Sequence, residues 1–308
     1  MSTNRTYNWP MIAYIGTCHA AALIGLFALR SCRYTTIAIA VACYWLGGLG
    51  ITAGAHRLWS HRSYKACDAI RFFLMLCQSI ANQGSIIHWC RDHRVHHKYS
   101  DTEADPHNSG RGFFFSHMGW LLVKKSSQVV TAGGKLDYQD LYDDWVVAFQ
   151  QKYNPWVQVL MCFVFPTWIT VHLTHETVWN ALFITGFLRY VILLHATWLV
   201  NSAAHFYGYR PYEANPPREN WLVSLFALGE GWHNYHHKFP YDYATSEFGI
   251  WKQMNPTKLF IDLLASLGLV WDRKRAVNVW ERIKQTRLQE KVTQTTTTAF
   301  SELKAKSN

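Results

Sequence analysis

The stretch YTTIAIAVACYWLGGLGITAGAHRLWSH (residues 34–61) leads from an apolar segment directly into two histidines. Residues 34–55 carry no charged side chain, and an α-helix needs about 20 apolar residues to cross a bilayer. The stretch therefore predicts a membrane-spanning helix with His56 and His61 just beyond its end.

Three further stretches meet the same length criterion, namely residues 11–29, 154–171 and 177–200. The connections at 30–33 (RSCR) and 172–176 (HLTHE) are short, which is typical of helices joined as antiparallel hairpins. The sequence therefore predicts an all-α integral membrane protein with four transmembrane helices in two hairpins. Residues 1–291 would form one domain, with residues 56–153 and 201–291 as a helical cap on one side.

The composition fits a protein that is part membrane and part aqueous. Charged residues make up 16% of the chain, against about 25% in ordinary soluble domains, while a mean hydropathy of −0.10 argues against a fully embedded transporter. Lys and Arg number 30 against 20 acidic residues, and fourteen of these basic residues lie in 201–308. The positive-inside rule then predicts a cytosolic cap. The formal charge of +10 indicates a face near lipid, and we expect no nucleic-acid partner.

Three local features complete the predicted topology. Residues 72–87 contain several polar side chains and are predicted to lie in the interface, because a fifth crossing would separate the histidine clusters. Arg189, within the fourth span, is expected to face the bundle interior and to form either a structural salt bridge or hydrogen bonds to helix ends. Residues 292–308 read as a disordered tail, in which Lys304 and Lys306 fit a dilysine retrieval signal of the endoplasmic reticulum.

Two pentapeptides, HRVHH (93–97) and HNYHH (233–237), share the pattern HxxHH. Positions i, i+3 and i+4 of a helix lie on one face, so each directs three imidazoles toward one point. A single HxxHH fits metal binding and ordinary packed histidines about equally well. Two copies together with His56 and His61 favour a metal site. Residues i and i+5 do not share a face of a straight helix, so we expect the backbone to bend between His56 and His61. Seven histidines are assigned structural roles: His19, His88, His107, His117, His172, His175 and His195.

Eight clustered imidazoles without thiolates indicate two metals, because one zinc ion takes only three or four ligands. Imidazole suits several transition metals, and two irons with open positions for dioxygen would use this many neutral ligands. Nearby carboxylates either orient the rings or are ordinary solvated acids: Asp92, Asp101, Glu103, Asp105 and Glu230.

At these motifs the sequence resembles the membrane acyl-CoA desaturases of the stearoyl-CoA Δ9 family. The similarity covers nearly the whole chain after about residue 8. The matching stretches are GITAGAHRLWSHRSYKA (50–66), RDHRVHHKYSDTEADPHN (91–108), GRGFFFSHMGWLLVKK (110–125), ATWLVNSAAHFYGYRPY (196–212) and GEGWHNYHHKFPYDY (229–243).

The resemblance implies a ninth histidine ligand, His205, in the motif Asn201-Ser-Ala-Ala-His205. It also implies a division of the ligands between two irons. One iron would take His56, His61, His97 and His237, with Asn201 acting through a water. The other would take His93, His96, His205, His233 and His236.

The reaction implied by the resemblance is O2-dependent insertion of a cis double bond, at Δ9, into stearoyl-CoA or palmitoyl-CoA. Gln83, Trp89 and Thr197 would lie at the bend of a dry substrate tunnel. Tyr44 and Gly48 would lie near its closed end, or would simply pack against neighbouring helices. If Gly48 floors the tunnel, its missing side chain leaves room for an eighteen-carbon chain.

Coenzyme A is polyanionic, and by family position Arg91, Lys124 and Lys125 are expected to bind it, although a basic face near a membrane also attracts anionic lipid. No haem-binding HPGG stretch occurs, so electrons are expected from a separate cytochrome b5 and its NADH reductase. Two alternatives stay open: a related di-iron enzyme, such as a Δ11 or trans desaturase or a hydroxylase, and a metal transporter.

Overall fold

The computed structural model describes residues 6–306, except for the side chains of residue 291 and residues 296–306. It is mostly helical, and its two short strands, β1 (Lys65–Ala66) and β2 (Val270–Trp271), pair antiparallel. The helices are α1 (Trp9–Ala28), α2 (Tyr34–Ser60), α3 (Asp68–Ala81), α4 (Ile86–Tyr99), α5 (Phe113–His117), α6 (Ser127–Gly134), α7 (Gln139–Tyr142), α8 (Trp145–Lys152), α9 (Trp156–Thr174), α10 (Val178–Phe206), α11 (Trp221–Phe226), α12 (His233–Lys238), α13 (Pro256–Ser266) and α14 (Val277–Lys306).

Within the described range, four helices are long and apolar enough to cross a membrane, namely α1, α2, α9 and α10. This confirms the four spans predicted from composition. Helix α10 lies centrally, because α1, α2 and α9 all pack against it. The hairpin arrangement and the side on which the remaining helices lie stay predictions.

Glu176 joins the two short connections at one end of the bundle. Its carboxylate accepts hydrogen bonds from the backbone N–H of Arg33 (2.8 Å) and the hydroxyl of Thr36 (2.9 Å) at the start of α2. It also accepts from the N–H of Thr177 (2.9 Å) and the amide of Asn180 (3.1 Å) at the start of α10. A carboxylate is favourable here because the first N–H groups of a helix lack partners within it.

Arg189 faces the bundle interior, as predicted, and its side chain is buried. The guanidinium donates to the carbonyl oxygens of Thr185 (2.9 Å), Ile80 (2.8 Å) and Cys162 (2.6 Å). Ile80 lies in the last turn of α3, where carbonyl groups lack intrahelical partners. The hydrogen bonds therefore satisfy a buried charge and tie α3, α9 and α10 together.

Helix α3 ends at Ala81 after 14 residues, which is shorter than a bilayer crossing requires. It packs closely on α2, since a Cβ at Gly50 would lie 2.1 Å from the backbone nitrogen of Gln78. The chain then reverses at Asn82, whose φ of 44° is left-handed. Ser85 begins α4 by accepting a hydrogen bond from the N–H of His88 (3.3 Å). Residues 72–87 thus form no fifth span.

The last helix differs from the prediction, because α14 continues to Lys306 through most of the segment 292–308 expected to be disordered. Its first turns are anchored where Trp280 packs against Tyr212 and Phe239. Arg, Lys, Gln and Glu, which are good helix formers, dominate residues 281–291, whereas residues 293–298 (TQTTTT) are mostly threonine. The side chains of the proposed dilysine signal and residues 307–308 lie outside the described part of the chain.

Candidate metal centre and adjoining cavity

Nine buried or half-buried histidines converge into two groups, and within each group one ligand atom per residue lies within 4.8 Å of the others. The first group consists of His56, His61, His93, His97 and His236. The second group consists of His96, His205, His233 and His237. These are the nine histidines proposed as ligands from the sequence.

His56 and His61 come together because the end of α2, from Gly50 to Ser60, is π-helical. In a π-helix the N–H of residue i+5 bonds to the carbonyl of residue i, which brings the i, i+5 pair onto one face. The N–H of His61 lies 3.1 Å from the carbonyl of His56, and their ring centroids are 4.9 Å apart. The bend expected from the sequence is therefore replaced by a change in helical winding.

Each HxxHH motif contributes to both groups, which corrects the predicted division of ligands. In α4, His93 and His97 enter the first group and His96 the second; in α12, His236 enters the first group, while His233 and His237 enter the second. On the helix face that carries the three histidines, residues i and i+4 lie toward one edge and residue i+3 lies toward the other. The sequence assigned His93, His236 and His237 to the opposite groups because the resemblance does not resolve this rotation.

Carboxylates fix the orientation of three rings. Nδ1 of His96 lies 2.8 Å from Oδ2 of Asp105, and Nδ1 of His205 lies 3.1 Å from Oδ2 of Asp101. Nδ1 of His56 lies 3.0 Å from Oε2 of Glu230. An ionised carboxylate only accepts hydrogen bonds, so in His96 and His205 the proton resides on Nδ1 and the Nε2 lone pair is free to bind a metal.

Hydrogen bonding alone does not satisfy the second group. Its Nε2 atoms form three contacts: His96 to His237 at 3.3 Å, His237 to His233 at 3.1 Å, and His233 to His205 at 3.2 Å. When the rings are in the neutral form that binds a metal, His96 and His205 carry their protons on Nδ1, so only His233 and His237 can supply an Nε2 proton. Two protons cannot make three hydrogen bonds. The donor set therefore fits a bound cation.

Burial keeps most of these imidazoles neutral. It is the main cause that lowers the pKa of His61, His93, His97, His233, His236 and His237 well below the usual value, and neighbouring histidines lower it further. His96 is the exception, because Asp105 outweighs burial and raises its pKa. Neutral imidazole is the form that ligates metals.

Two residues near the centre were not identified as functional from the sequence. Arg57 is fully buried and donates through Nη2 to Oε1 of Glu230 at 2.8 Å. Although burial raises the pKa of Glu230, Arg57 and His56 together hold it below its usual value. His107, assigned a structural role, has its ring centroid 4.2 Å from that of His96 with the two rings tilted by 40°. It lies close enough to His96 and Asp105 for the three to hold a metal ion. The sequence did contain a signal for this residue, because His107 follows the candidate carboxylate Asp105 by two positions.

Of the other candidate carboxylates, Asp92 contacts the ammonium group of Lys125, and Glu103 is exposed. Three of the histidines assigned structural roles form a hydrogen-bonded chain: His19 to His195 (3.1 Å), His195 to His117 (2.9 Å), and His117 to Ser202 (2.9 Å). They link α1, α10 and α5 beside the centre.

Two neighbouring cavities adjoin the histidines and share four lining residues, Trp89, His93, Thr197 and Asn201. The outer cavity extends from these residues past Gln83, His88, Asp92 and Trp120. The inner cavity extends to Gly48, Leu193, Phe226 and Leu228 and also touches His56, His96 and His233. Their linings are largely apolar apart from the histidines.

The structure brings together the three residues expected at the tunnel bend. Nε1 of Trp89 donates to Oε1 of Gln83 (3.2 Å), and Nε2 of Gln83 donates to Oγ1 of Thr197 (2.9 Å). This chain lies where the two cavities meet. Gly48 lines the inner cavity, and the hydroxyl of Tyr44 donates to the carbonyl of Phe226 (2.5 Å).

The three predicted coenzyme A residues are all exposed. Arg91 stands 6.0 Å from the Tyr138 ring, and the backbone N–H of Lys124 bonds to Thr6. Lys125 is paired with Asp92, which lines the cavity.

Comparison with known proteins identifies the family of the chain. The fatty acid desaturase family matches residues 35–248. Stearoyl-CoA desaturase 5 of Bos taurus is 53% identical over 87% of this chain and 80% of its own length. Stearoyl-CoA desaturase 2 of Mus musculus (53%) and stearoyl-CoA desaturase of Homo sapiens (51%) each align with 91% of this chain and 78% of their own length. The chain belongs to the membrane acyl-CoA desaturases of the fatty acid desaturase family and is an oxidoreductase.

Proposed function

We propose that the protein inserts a cis double bond at Δ9 of stearoyl-CoA, palmitoyl-CoA or both. The observation that carries this proposal is the pair of neighbouring, largely apolar cavities that share Trp89 and Thr197, of which the inner one is lined by members of both histidine groups. A saturated chain threaded through both would present an internal methylene pair to the centre and keep its terminal methyl far from it. The names of the relatives support a C18 saturated substrate.

The residues at the bend would fix which carbons reach the centre. Gln83 accepts from Trp89 and donates to Thr197, so the hydrogen bonds hold three side chains in one arrangement. Orienting a substrate in this way removes the entropic cost of finding the reactive geometry. The apolar lining would also exclude water from the reacting methylenes.

The nine histidines would hold two irons, with Asn201 contributing through a water. When bound, the irons would supply the redox chemistry that activates dioxygen and removes two hydrogens from the acyl chain. The reaction balances when O2 takes two hydrogens from the chain and two electrons and two protons from outside, and leaves as two waters. Asp101, Asp105 and Glu230 would keep three ligand rings oriented.

The coenzyme A moiety would lie at the mouth of the outer cavity. Arg91, Lys124 and Lys125 are exposed, and Lys125 contacts Asp92 in the lining of that cavity. These three cations would neutralise the phosphates. Because the ammonium group of Lys125 already pairs with Asp92, its positive charge would be shared between this carboxylate and the phosphates. Electrons would come from a separate cytochrome b5 and its NADH reductase, with the protein in the endoplasmic reticulum membrane and its histidine groups on the cytosolic side.

The test is expression in a yeast strain that lacks its own Δ9 desaturase, followed by gas chromatography–mass spectrometry with double-bond localisation. We expect cis-Δ9 C16 or C18 products, and no product with the matched His96→Ala variant. A double bond at Δ11 or in trans, or a hydroxylated product, would replace this proposal with another di-iron activity. Absence of any product with protein present, together with metal uptake by the cells, would favour a transporter.

A further inference from the structure

Leu228 closes the inner cavity at the end away from the bend. It lines that cavity and is only 1% exposed. A Cβ built on Gly48 would lie 2.5 Å from Cδ1 of Leu228 and 3.9 Å from Cδ1 of Leu193. The space beside Gly48, which the sequence indicated as room for substrate, is therefore occupied by the Leu228 side chain.

The backbone of Leu228 is held in an unusual conformation. Its φ is 52°, in the left-handed region that branched residues rarely adopt, so surrounding contacts have to maintain it. The carbonyl of Leu228 accepts a hydrogen bond from Oγ1 of Thr257 (2.8 Å), which in turn contacts Oγ1 of Thr52 (2.7 Å). Thr52 lies in α2, so the position of Leu228 is fixed relative to the helix that carries Gly48.

The same short segment reaches both ends of the inner cavity. On one side of Leu228, the carbonyl of Phe226 accepts the hydroxyl of Tyr44. On the other side, two residues on, Glu230 lies 3.0 Å from Nδ1 of His56 in the first histidine group. The distance between the cavity floor and the metal centre is thus set by residues 226–230.

We propose that Leu228 is the specificity-determining residue that contacts the terminal methyl of the acyl chain and limits its length, and that Gly48 acts by making room for Leu228. This proposal rests on the proposed desaturase function. Two consequences follow from the shared space. Shortening Leu228 lengthens the cavity, and adding a side chain at Gly48 displaces Leu228 before it reaches the substrate.

The experiment compares kcat/KM for saturated C16, C18 and C20 acyl-CoA in membranes supplied with cytochrome b5 and its reductase. For Leu228→Ala we expect the C20-to-C18 ratio to rise about tenfold or more, which is the effect of about one methylene in an apolar pocket. Leu228→Phe is expected to shift preference toward C16. Gly48→Ala is expected to change the ratio strongly in the wild-type background and little in the Leu228→Ala background.

Leu74→Ala is the matched control, because Leu74 is fully buried in another apolar cluster and lines neither cavity. Its chain-length profile is expected to equal that of the wild type. Leu228→Phe, which adds volume and leaves no void, serves if Leu228→Ala fails to fold; it is expected to lower the C20-to-C18 ratio, and an unaltered ratio overturns the proposal. An unchanged profile in Leu228→Ala and Leu228→Phe, with active wild-type protein, also overturns it. Failure of the wild type to desaturate any chain defeats the proposed function instead.

Discussion

The backbone N–H of His61 donates to the carbonyl of His56 at 3.1 Å, five residues back. This π-helical hydrogen bond brings onto one face two imidazoles that an ordinary α-helix would separate. Helix α2 therefore delivers both histidines to the first group, while α4 and α12 each divide their HxxHH motif between the two groups.

The division of ligands predicts which double variants lose one metal and which lose both. His61 and His236 belong to the first group, and His205 belongs to the second. We expect His61→Ala and His236→Ala, alone or combined, to lose about one metal per chain, measured by mass spectrometry of purified protein. His61→Ala combined with His205→Ala is expected to lose both.

His172→Ala is the control for these variants, because His172 is exposed and bonds to the carbonyl of Trp168. Its metal content is expected to equal that of the wild type. If His236→Ala combined with His61→Ala lost both metals, the division drawn from the sequence resemblance would be favoured over the one in the structure.

Glu230→Gln is expected to destabilise the protein, because it leaves the fully buried guanidinium of Arg57 without its carboxylate. Removing one partner of a buried ion pair typically costs about 3–5 kcal/mol. Thermal unfolding of the purified protein measures this, and Glu103→Gln, at an exposed position, is the control. An unchanged unfolding temperature for Glu230→Gln would show that the Arg57–Glu230 pair does not stabilise the centre.

Glu219 is expected to make stability fall as pH rises. Burial raises its pKa to about 8, although the N–H of Tyr235 donates to it and acts in the opposite direction. The folded protein therefore binds this proton more tightly than the unfolded chain, whose Glu pKa is near 4.3. The stabilisation that this proton contributes is fully present below the pKa of the unfolded chain. As pH rises from there to the pKa of the folded protein, the free energy of unfolding decreases by up to about 1.4 kcal/mol per pH unit.

Glu219→Gln keeps the acceptor and stays neutral, so this variant tests the titration directly. We expect it to match the wild type near pH 4 and to be more stable than the wild type at pH 8, in unfolding measurements across this range. Parallel curves for the two proteins would contradict the raised pKa.

Glu176→Ala is expected to lower stability with little effect on turnover. The change leaves four hydrogen-bond donors at the starts of α2 and α10 without their acceptor, and each costs about 1–3 kcal/mol when buried. Unfolding and turnover are measured on the same preparation, with Glu176→Gln expected to recover part of the loss. A variant that keeps full stability would contradict this role of Glu176.

The sequence predicted the four spans and the convergence of the nine histidines, but not how these histidines are arranged. Four spans followed from uncharged stretches such as 34–55, and nine histidines followed from spacing and resemblance. The π-helical winding at His56 did not, because π-helices depend on packing, here the close approach of Gly50 to Gln78.

Two further features depended on contacts between distant segments. The filling of the space at Gly48 by Leu228 joins residues 180 positions apart, so neither local pattern indicates it. The C-terminal helix α14 was missed because its polar composition resembles that of a tail, while its anchor, Trp280 on Tyr212 and Phe239, lies far back in the chain.

The metal content of the purified wild-type protein tests most directly the claim that the nine histidines hold two irons. We expect about two irons per chain, retained through purification at neutral pH. About one iron per chain, or zinc in place of iron in active protein, would contradict it.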